Sequence, residues 1–459
     1  MSELIAKALP DATDTRAIAF GRGVLAETGR VFANTFPGAA CVLVADDNTW
    51  RAAGVQVRDS LTHAGVQLEE PFVFPGTPTL YAGYENVERL RDHLKSLDAV
   101  ACVIASGTLN DIAKLASGEL GRPYLNVCTA ASMDGYTAFG ASITRDGFKI
   151  TRDCPAPAAL IADVDVMASA PRRLTASGYG DLIEKVPGGA DWLVADELDI
   201  EPVAGDVWNL VQDPLADALA DPDGLAAGSP DAVGRLAEGL ILSGLAMQAI
   251  KSSRPASGAG HNFSHQWEME GHGLDWEPPL SHGNKVGVGA VATSAVYDLL
   301  PTLDVAAVDP GRRAAEWLTP EQNDARVADL QPLPRMREAA LAQSRGKYVP
   351  RELAAERVGL IKDRWPTLLR RVAAQTMPAS EVADRLRRVG APYHPAQIAV
   401  DLAKLRRTYY QSQTIRSRYT IMDALFELGL LDQVVDTLFA PGGYWADAPV
   451  PTAGFLKPA

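Results

Sequence analysis

Apolar residues arrive in short bursts along the first third of the chain and at helical spacing along the rest. Residues 39–45 read AACVLVA and run into Asp46-Asp47-Asn48-Thr49, the pattern of a strand buried on both faces. Residues 98–105 (DAVACVIA) repeat it, and 71–75, 123–128 and 158–166 predict further strands. Between these, 50–64 and 83–97 predict helices, the second with Val87, Leu90 and Leu94 on one side. Strands alternating with helices predict a parallel sheet with right-handed crossovers, whose ligands lie beyond the carboxyl ends of the strands.

Past about residue 171 strand-like runs nearly vanish, and helical spacing takes over at 231–250, 365–375, 380–389 and 395–429. The expected architecture is an α/β, Rossmann-like dinucleotide-binding domain over residues 1–170 followed by an all-α domain over 171–459. A stretch near 301–350, rich in Pro, Arg and Asp, predicts an excursion of short helices and loops.

Composition changes this picture little: 47% hydrophobic and 22% charged residues are ordinary for a globular chain. The net charge of -14 argues against a nucleic-acid partner and against an anionic membrane surface. It also requires that any phosphorylated substrate find a locally basic site. The apolar stretch 231–250 is interrupted by Arg235 and Glu238, so no membrane span is expected, and the N-terminus lacks an apolar core of signal-peptide type. Cys41, Cys102, Cys128 and Cys154 form no CxxC pair and predict buried free thiols in a reducing, cytoplasmic setting.

The candidate chemistry lies in residues 252–289, which hold four of the seven histidines: His261, His265, His272 and His282. His261 and His265 are four apart and share one face of a helix. With His282 from a later loop and one carboxylate, such a set can hold a divalent metal. Asp181 in GYGDLIEK is the candidate carboxylate; it follows a flexible glycine pair and opens a helical segment between the two halves, where an N-cap is the alternative role.

In the first half, Ser106-Gly107-Thr108 follows a predicted strand and precedes a helix, an arrangement that aims backbone N–H groups at a phosphate. Gly107 suits a tight turn, and Thr108 with Asp111 has the spacing of a capping box. The next loop, TAASMDGYT, offers the hydroxyls of Thr129 and Ser132 and the carboxylate of Asp134 at the same sheet edge. Asp46 is placed to accept a ribose hydroxyl.

The motifs SGTLNDIAK, TAASMDGYT, GYGDLIEK, SSRPASGAGHNFSH, LSHGNKVGVG and RSRYTIMDALFELG occur in that order. Together they resemble the superfamily of iron-dependent alcohol dehydrogenases, glycerol dehydrogenases, dehydroquinate synthases and sn-glycerol-1-phosphate dehydrogenases, the last most closely. The resemblance implies a dehydroquinate synthase-like architecture in which Asp181, His261 and His282 hold one divalent metal: zinc, nickel or iron. It implies that His265 and Asp134 touch the substrate, with Asp181 also in reach. Ser106, Gly107, Thr108, Thr129 and Ser132 would line the phosphates of NAD or NADP. Asp46 would meet the adenosine ribose and tilt the choice toward NAD by repelling a 2'-phosphate.

The implied reaction is reversible hydride transfer between the nicotinamide and C2 of a small three-carbon phosphate, interconverting dihydroxyacetone phosphate and sn-glycerol 1-phosphate, in a homo-oligomer. A cyclase of the same architecture, a non-phosphorylated polyol dehydrogenase and a binding protein without turnover are the alternatives. Asp181 favours the dehydrogenase over the cyclases, which tend to carry Glu. Arg254 and Lys285 are the first candidates for the phosphate, with Arg416 and Arg418 next. The chain departs from the family's usual pattern at Ala105, Ala138, Gly260, Asn262 and Gln266-Trp267.

Overall fold

A computed structural model describes residues 2–145 and 148–451 of the chain. Six parallel strands form one sheet in the order β1 (Ala17–Gly21), β8 (Ala159–Asp163), β5 (Tyr124–Cys128), β4 (Ala99–Ala105), β2 (Ala40–Asp46) and β3 (Phe72–Phe74). Period-two alternation within the apolar runs explains how both faces are covered. Val42, Val44 and Val103 pack on one side with the Tyr84–Lys95 and Gly107–Glu119 helices. Cys41, Leu43, Cys102 and Ile104 pack on the other with Val57 and Leu61 of the Val55–His63 helix. All four cysteines are free and buried.

Four strands depart from the expectation. β1, a five-residue edge strand, is half-exposed, and its apolar run Ala17–Phe20 is too short to announce itself. β6 (Ala141–Arg145) and β7 (Phe148–Arg152) form a separate antiparallel pair in a polar stretch. The predicted strand at 158–166 stops early, because the Asp163 carboxylate accepts from the N–H of Asp165 and starts a helix at Val164. The capping box expected at Thr108 is absent. Ser106 is the N-cap of that helix, and buried Asp111 instead accepts from the Ser142 N–H.

After β8 the described chain is helical. The 365–375 segment is the end of a longer helix, Ala354–Gln375, whose first turns lie beyond Pro366 and were masked by it. The expected helical run 395–429 is broken into Leu402–Thr414 and Ile421–Leu428, with an irregular stretch between. In the excursion, Pro310–Ala315, Pro320–Leu330 and Pro334–Arg345 each start with proline, which suits the first helical turn. Its Val327, Met336 and Ala340 pack against Met269 and Ile415. Among the described residues one helix, Pro230–Ile250, is long and apolar enough to cross a membrane. Its apolar window is 72% buried inside the molecule, as befits a core helix.

The Arg172–Ile183 helix runs through the centre, and its glycines serve close approach rather than flexibility. A Cβ on Gly178 would lie 2.1 Å from the Ala131 carbonyl oxygen, and one on Gly180 would lie 2.4 Å from that of Gly283. Reciprocally, a Cβ on Gly283 would lie 1.9 Å from the carbonyl oxygen of Ser177. Backbone therefore touches backbone at the two crossings that bring residues 131, 181 and 282 together. Gly180→Ala should destabilise the protein by about 1–3 kcal/mol, the usual cost of overpacking. Denaturant unfolding checks this, and an unchanged midpoint would show that the crossing tolerates a methyl group.

Candidate active site

Asp181 lies in the last turn of the Arg172–Ile183 helix, fully buried, and is not the N-cap. His261 sits in the first turns of the Ala259–Met269 helix, and His282 is the first residue of the His282–Leu299 helix rather than part of a loop. One ligand atom from each of the three lies within 4.8 Å of the others. The His261 and His282 ring centroids are 5.5 Å apart, and His261 Nε2 is 3.3 Å from Asp181 Oδ1.

Each imidazole is backed by a carboxylate. His261 Nδ1 donates to Glu184 Oε2 at 2.6 Å, and His282 Nδ1 donates to Glu268 Oε1 at 2.9 Å. A carboxylate only accepts, so it fixes the proton on Nδ1 and leaves each Nε2 lone pair for a metal. Two imidazoles and a carboxylate, so oriented, fit a divalent cation.

Glu184 and Glu268 were not anticipated, although Glu184 stands in the GYGDLIEK motif and Glu268 in the histidine-rich stretch 252–289. The available signal was that an acid within an apolar helical face needs a partner. Lys185 was also missed. Its buried ammonium lies 2.8 Å from Asp134 Oδ2 and 2.9 Å from Asp181 Oδ1.

Charges set the protonation states. Burial works against an ionised Asp181, but the Lys185 ammonium and the facing imidazoles outweigh it and hold this carboxyl well below the usual range. Burial likewise opposes a charged His261. Glu184 and Asp181 overcome it and raise the ring to about 9. For Glu268, burial is outweighed by Lys149, His282 and Lys285, and its pKa falls well below normal. Lys149, from the β6–β7 hairpin, lies 3.2 Å from Glu268, so the first half of the chain supports a histidine of the second.

The remaining predicted residues fall around this centre. His265 has its ring centroid 6.1 Å from that of His261 and 5.9 Å from that of His282. Burial, with the charge of Arg416, pushes its pKa well below the ordinary value and keeps it neutral. Asp134 donates its backbone N–H to Asp181 Oδ2 at 3.0 Å and accepts from Ser243 Oγ at 2.9 Å. His272 is elsewhere, against the carbonyl of Ile398.

At the carboxyl ends of the strands, Ser106 caps the helix that begins at Gly107, and Thr108 is in its first turn. Gly107 is helical and not in a left-handed turn. A Cβ there would lie 2.9 Å from Met133 Cγ, so it serves the close approach of the neighbouring loop. Thr129 is buried beside β4, its N–H donating to the Ala105 carbonyl. The Ser132 hydroxyl pairs with Tyr136 Oη at 2.9 Å. Asp46 uses Oδ1 to cap Asn48 and Thr49, leaving Oδ2 for another donor.

One expectation fails on packing grounds. Arg254 is buried and donates to the carbonyls of Tyr419 and Asp191, with Glu201 3.3 Å away, so its guanidinium is spent inside the protein. Gly260, one of the positions noted above as atypical, admits no side chain: a Cβ would lie 2.7 Å from Glu184 Cγ and 3.0 Å from the Gly289 backbone.

With its parallel six-stranded sheet, its helical second half and three side chains able to hold a divalent cation, the chain has the architecture of the iron-containing alcohol dehydrogenases. The profile of that family, iron-containing alcohol dehydrogenase, matches residues 19–171. A glycerol dehydrogenase from Schizosaccharomyces pombe superposes with a TM-score of 0.58 at 15% identity, covering 93% of this chain and 91% of its own. A 1,3-propanediol oxidoreductase superposes with a TM-score of 0.57 at 16% identity, covering 92% and 98%.

By sequence, the chain is 37% identical over 256 residues to a glycerol-1-phosphate dehydrogenase [NAD(P)+] of Halalkalibacterium halodurans, a match covering 56% of this chain and 64% of that protein. The corresponding Bacillus subtilis protein is 35% identical over 277 residues, covering 60% and 70%. That of Geobacillus stearothermophilus is 31% identical over 329 residues, covering 68% and 79%. The chain belongs to the glycerol-1-phosphate dehydrogenase [NAD(P)+] family.

Two outcomes follow for the metal site. Since His261 is charged below about 9 in the metal-free protein, binding must expel a proton; apparent affinity should therefore rise with pH and level off near that value. Equilibrium dialysis across pH checks this, and a flat profile would contradict it. Glu184→Gln should weaken metal binding by roughly 10- to 100-fold, the usual loss when a carboxylate behind a histidine is removed. Unaltered affinity would take Glu184 out of the site.

Proposed function

We propose that this protein interconverts dihydroxyacetone phosphate and sn-glycerol 1-phosphate with NAD(P) at a divalent metal held by Asp181, His261 and His282. The observation that carries the reading is the convergence of those three side chains within 4.8 Å, two of them imidazoles backed by buried carboxylates. The names of the relatives support the substrate and cofactor. Zinc, nickel and iron all suit the donor set.

A divalent cation in this site supplies Lewis acidity toward the C2 oxygen, and the nicotinamide supplies the hydride. The chain's own residues do the rest. Asp181 stays ionised through Lys185, and Glu184 and Glu268 hold the histidine protons on Nδ1. Arg416 Nη2 lies 3.2 Å from His265 Nδ1; accepting there, the neutral ring carries its proton on Nε2, poised to donate to a substrate oxygen. Asp134, fixed by Lys185 and Ser243, lines the same pocket. Ser106, Gly107, Thr108, Thr129 and Ser132, at the carboxyl ends of the strands, would hold the phosphates of the dinucleotide, and Asp46 Oδ2 would accept from a ribose hydroxyl. A homo-oligomer in a reducing compartment completes the proposal; the four buried thiols support the compartment.

Elemental analysis followed by an NADH-oxidation assay with dihydroxyacetone phosphate tests the reading. The wild type should carry one divalent metal per chain and oxidise NADH. His261→Ala should lose both. A variant that keeps stoichiometric metal and activity would overturn the assignment.

A further inference from the structure

The site is ringed by cations, and nearly all have a carboxylate partner. Lys149 and Lys285 lie 3.2 and 3.5 Å from Glu268, and Lys185 is shared by Asp134 and Asp181. The exceptions are Arg416 and Arg418, on the irregular stretch between the Leu402–Thr414 and Ile421–Leu428 helices. Among the described residues neither guanidinium has a carboxylate within ion-pair distance. Arg416 meets only His265, and Arg418 donates to Ser257 Oγ and Ser253 Oγ at 2.6 and 2.5 Å.

We infer that Arg416, flanked by Arg418, is the specificity-determining anchor for the substrate's phosphate, an inference that rests on the function proposed above. Withdrawing a guanidinium from water without a counter-ion is costly, and an anion entering the pocket removes that cost. Burial lowers Arg416, and burial with the nearby charge of Arg254 pushes Arg418 down to about 9. Both shifts have the sign expected of cations lacking an anion.

The position also fits. Arg416 touches His265, whose ring adjoins both metal-site histidines, so the guanidinium stands one side chain beyond the metal. A phosphate lies at that kind of remove from C2 of a three-carbon ketone.

The excursion near 301–350 acquires a role from the same geometry. Ile415 packs into its Val327, Met336 and Ala340, and the Ser417 N–H donates to Gln343 Oε1 at 2.7 Å. The residues on either side of Arg416 are thus held by the excursion, which presents the two arginines to the pocket and fixes their backbone. A guanidinium so held loses little freedom on binding a phosphate in bidentate fashion.

The test compares wild type, Arg416→Gln and Arg416→Lys, each loaded with metal. KM is measured for dihydroxyacetone phosphate and for dihydroxyacetone, and binding of inorganic phosphate is followed by calorimetry. In Arg416→Gln the preference for the phosphorylated ketone should fall by roughly 10- to 100-fold, as expected for loss of a charge-assisted contact. Phosphate binding should be lost with it. Arg416→Lys should recover part of both, which separates a charge effect from damage to the fold. An unchanged preference and unchanged phosphate binding in Arg416→Gln would overturn the inference. If the wild type ignores dihydroxyacetone phosphate yet binds inorganic phosphate through Arg416, the anion site stands and the proposed substrate falls.

Discussion

Four carboxylates withdrawn from water in one small volume govern this structure. Asp181 and Glu184 are fully buried, and Glu268 and Asp134 nearly so. Such charges persist in a protein interior only when paired and hydrogen-bonded. Here three ammoniums, Lys149, Lys185 and Lys285, and the facing imidazoles answer them. A divalent cation tips the pocket positive, which suits an anionic substrate in a chain whose net charge is -14. Stability and chemistry thus make the same demand: the pairing that gives these buried acids their partners also aims two Nε2 lone pairs at one point.

Backbone contact makes that pairing precise. Gly178, Gly180 and Gly283 let the Arg172–Ile183 helix press directly on the loop after β5 and on the start of the His282–Leu299 helix. Gly260 and Gly289 do the same for the Ala259–Met269 helix, where a Cβ on Gly289 would lie 2.2 Å from the Gly260 carbonyl oxygen. The departure from the family pattern at Gly260 is therefore a consequence of packing: Glu184 already occupies the space that a side chain at 260 would need. Glu184, from the helix junction after Asp181, orients His261.

Much of the fold was legible because apolar runs buried on both faces are unmistakable. β2, β4 and β5 fell close to their expected bounds. The edge strand β1 and the polar pair β6–β7 were not legible, because half-exposed strands carry weaker patterns and their pairing is a tertiary event. In the site, the i, i+4 spacing of His261 and His265 and the motif order pointed to residues that the fold does bring together. What sequence could not show was how charges far apart in the chain pair up. Arg254 looked like a substrate cation and serves the interior, whereas Lys149, far from any histidine motif, supports Glu268. Asp181 read as a helix opener because Gly178 and Gly180 resemble a hinge, and their use in close crossings is visible only in three dimensions.

The account stands on one ion position. Crystals of the metal-loaded protein, measured at the absorption edge of the bound metal, should give a single anomalous peak about 2.0–2.2 Å from an oxygen of Asp181 and from Nε2 of both His261 and His282. A peak away from these three side chains, or one bound through Glu184 or Glu268 instead, would contradict it.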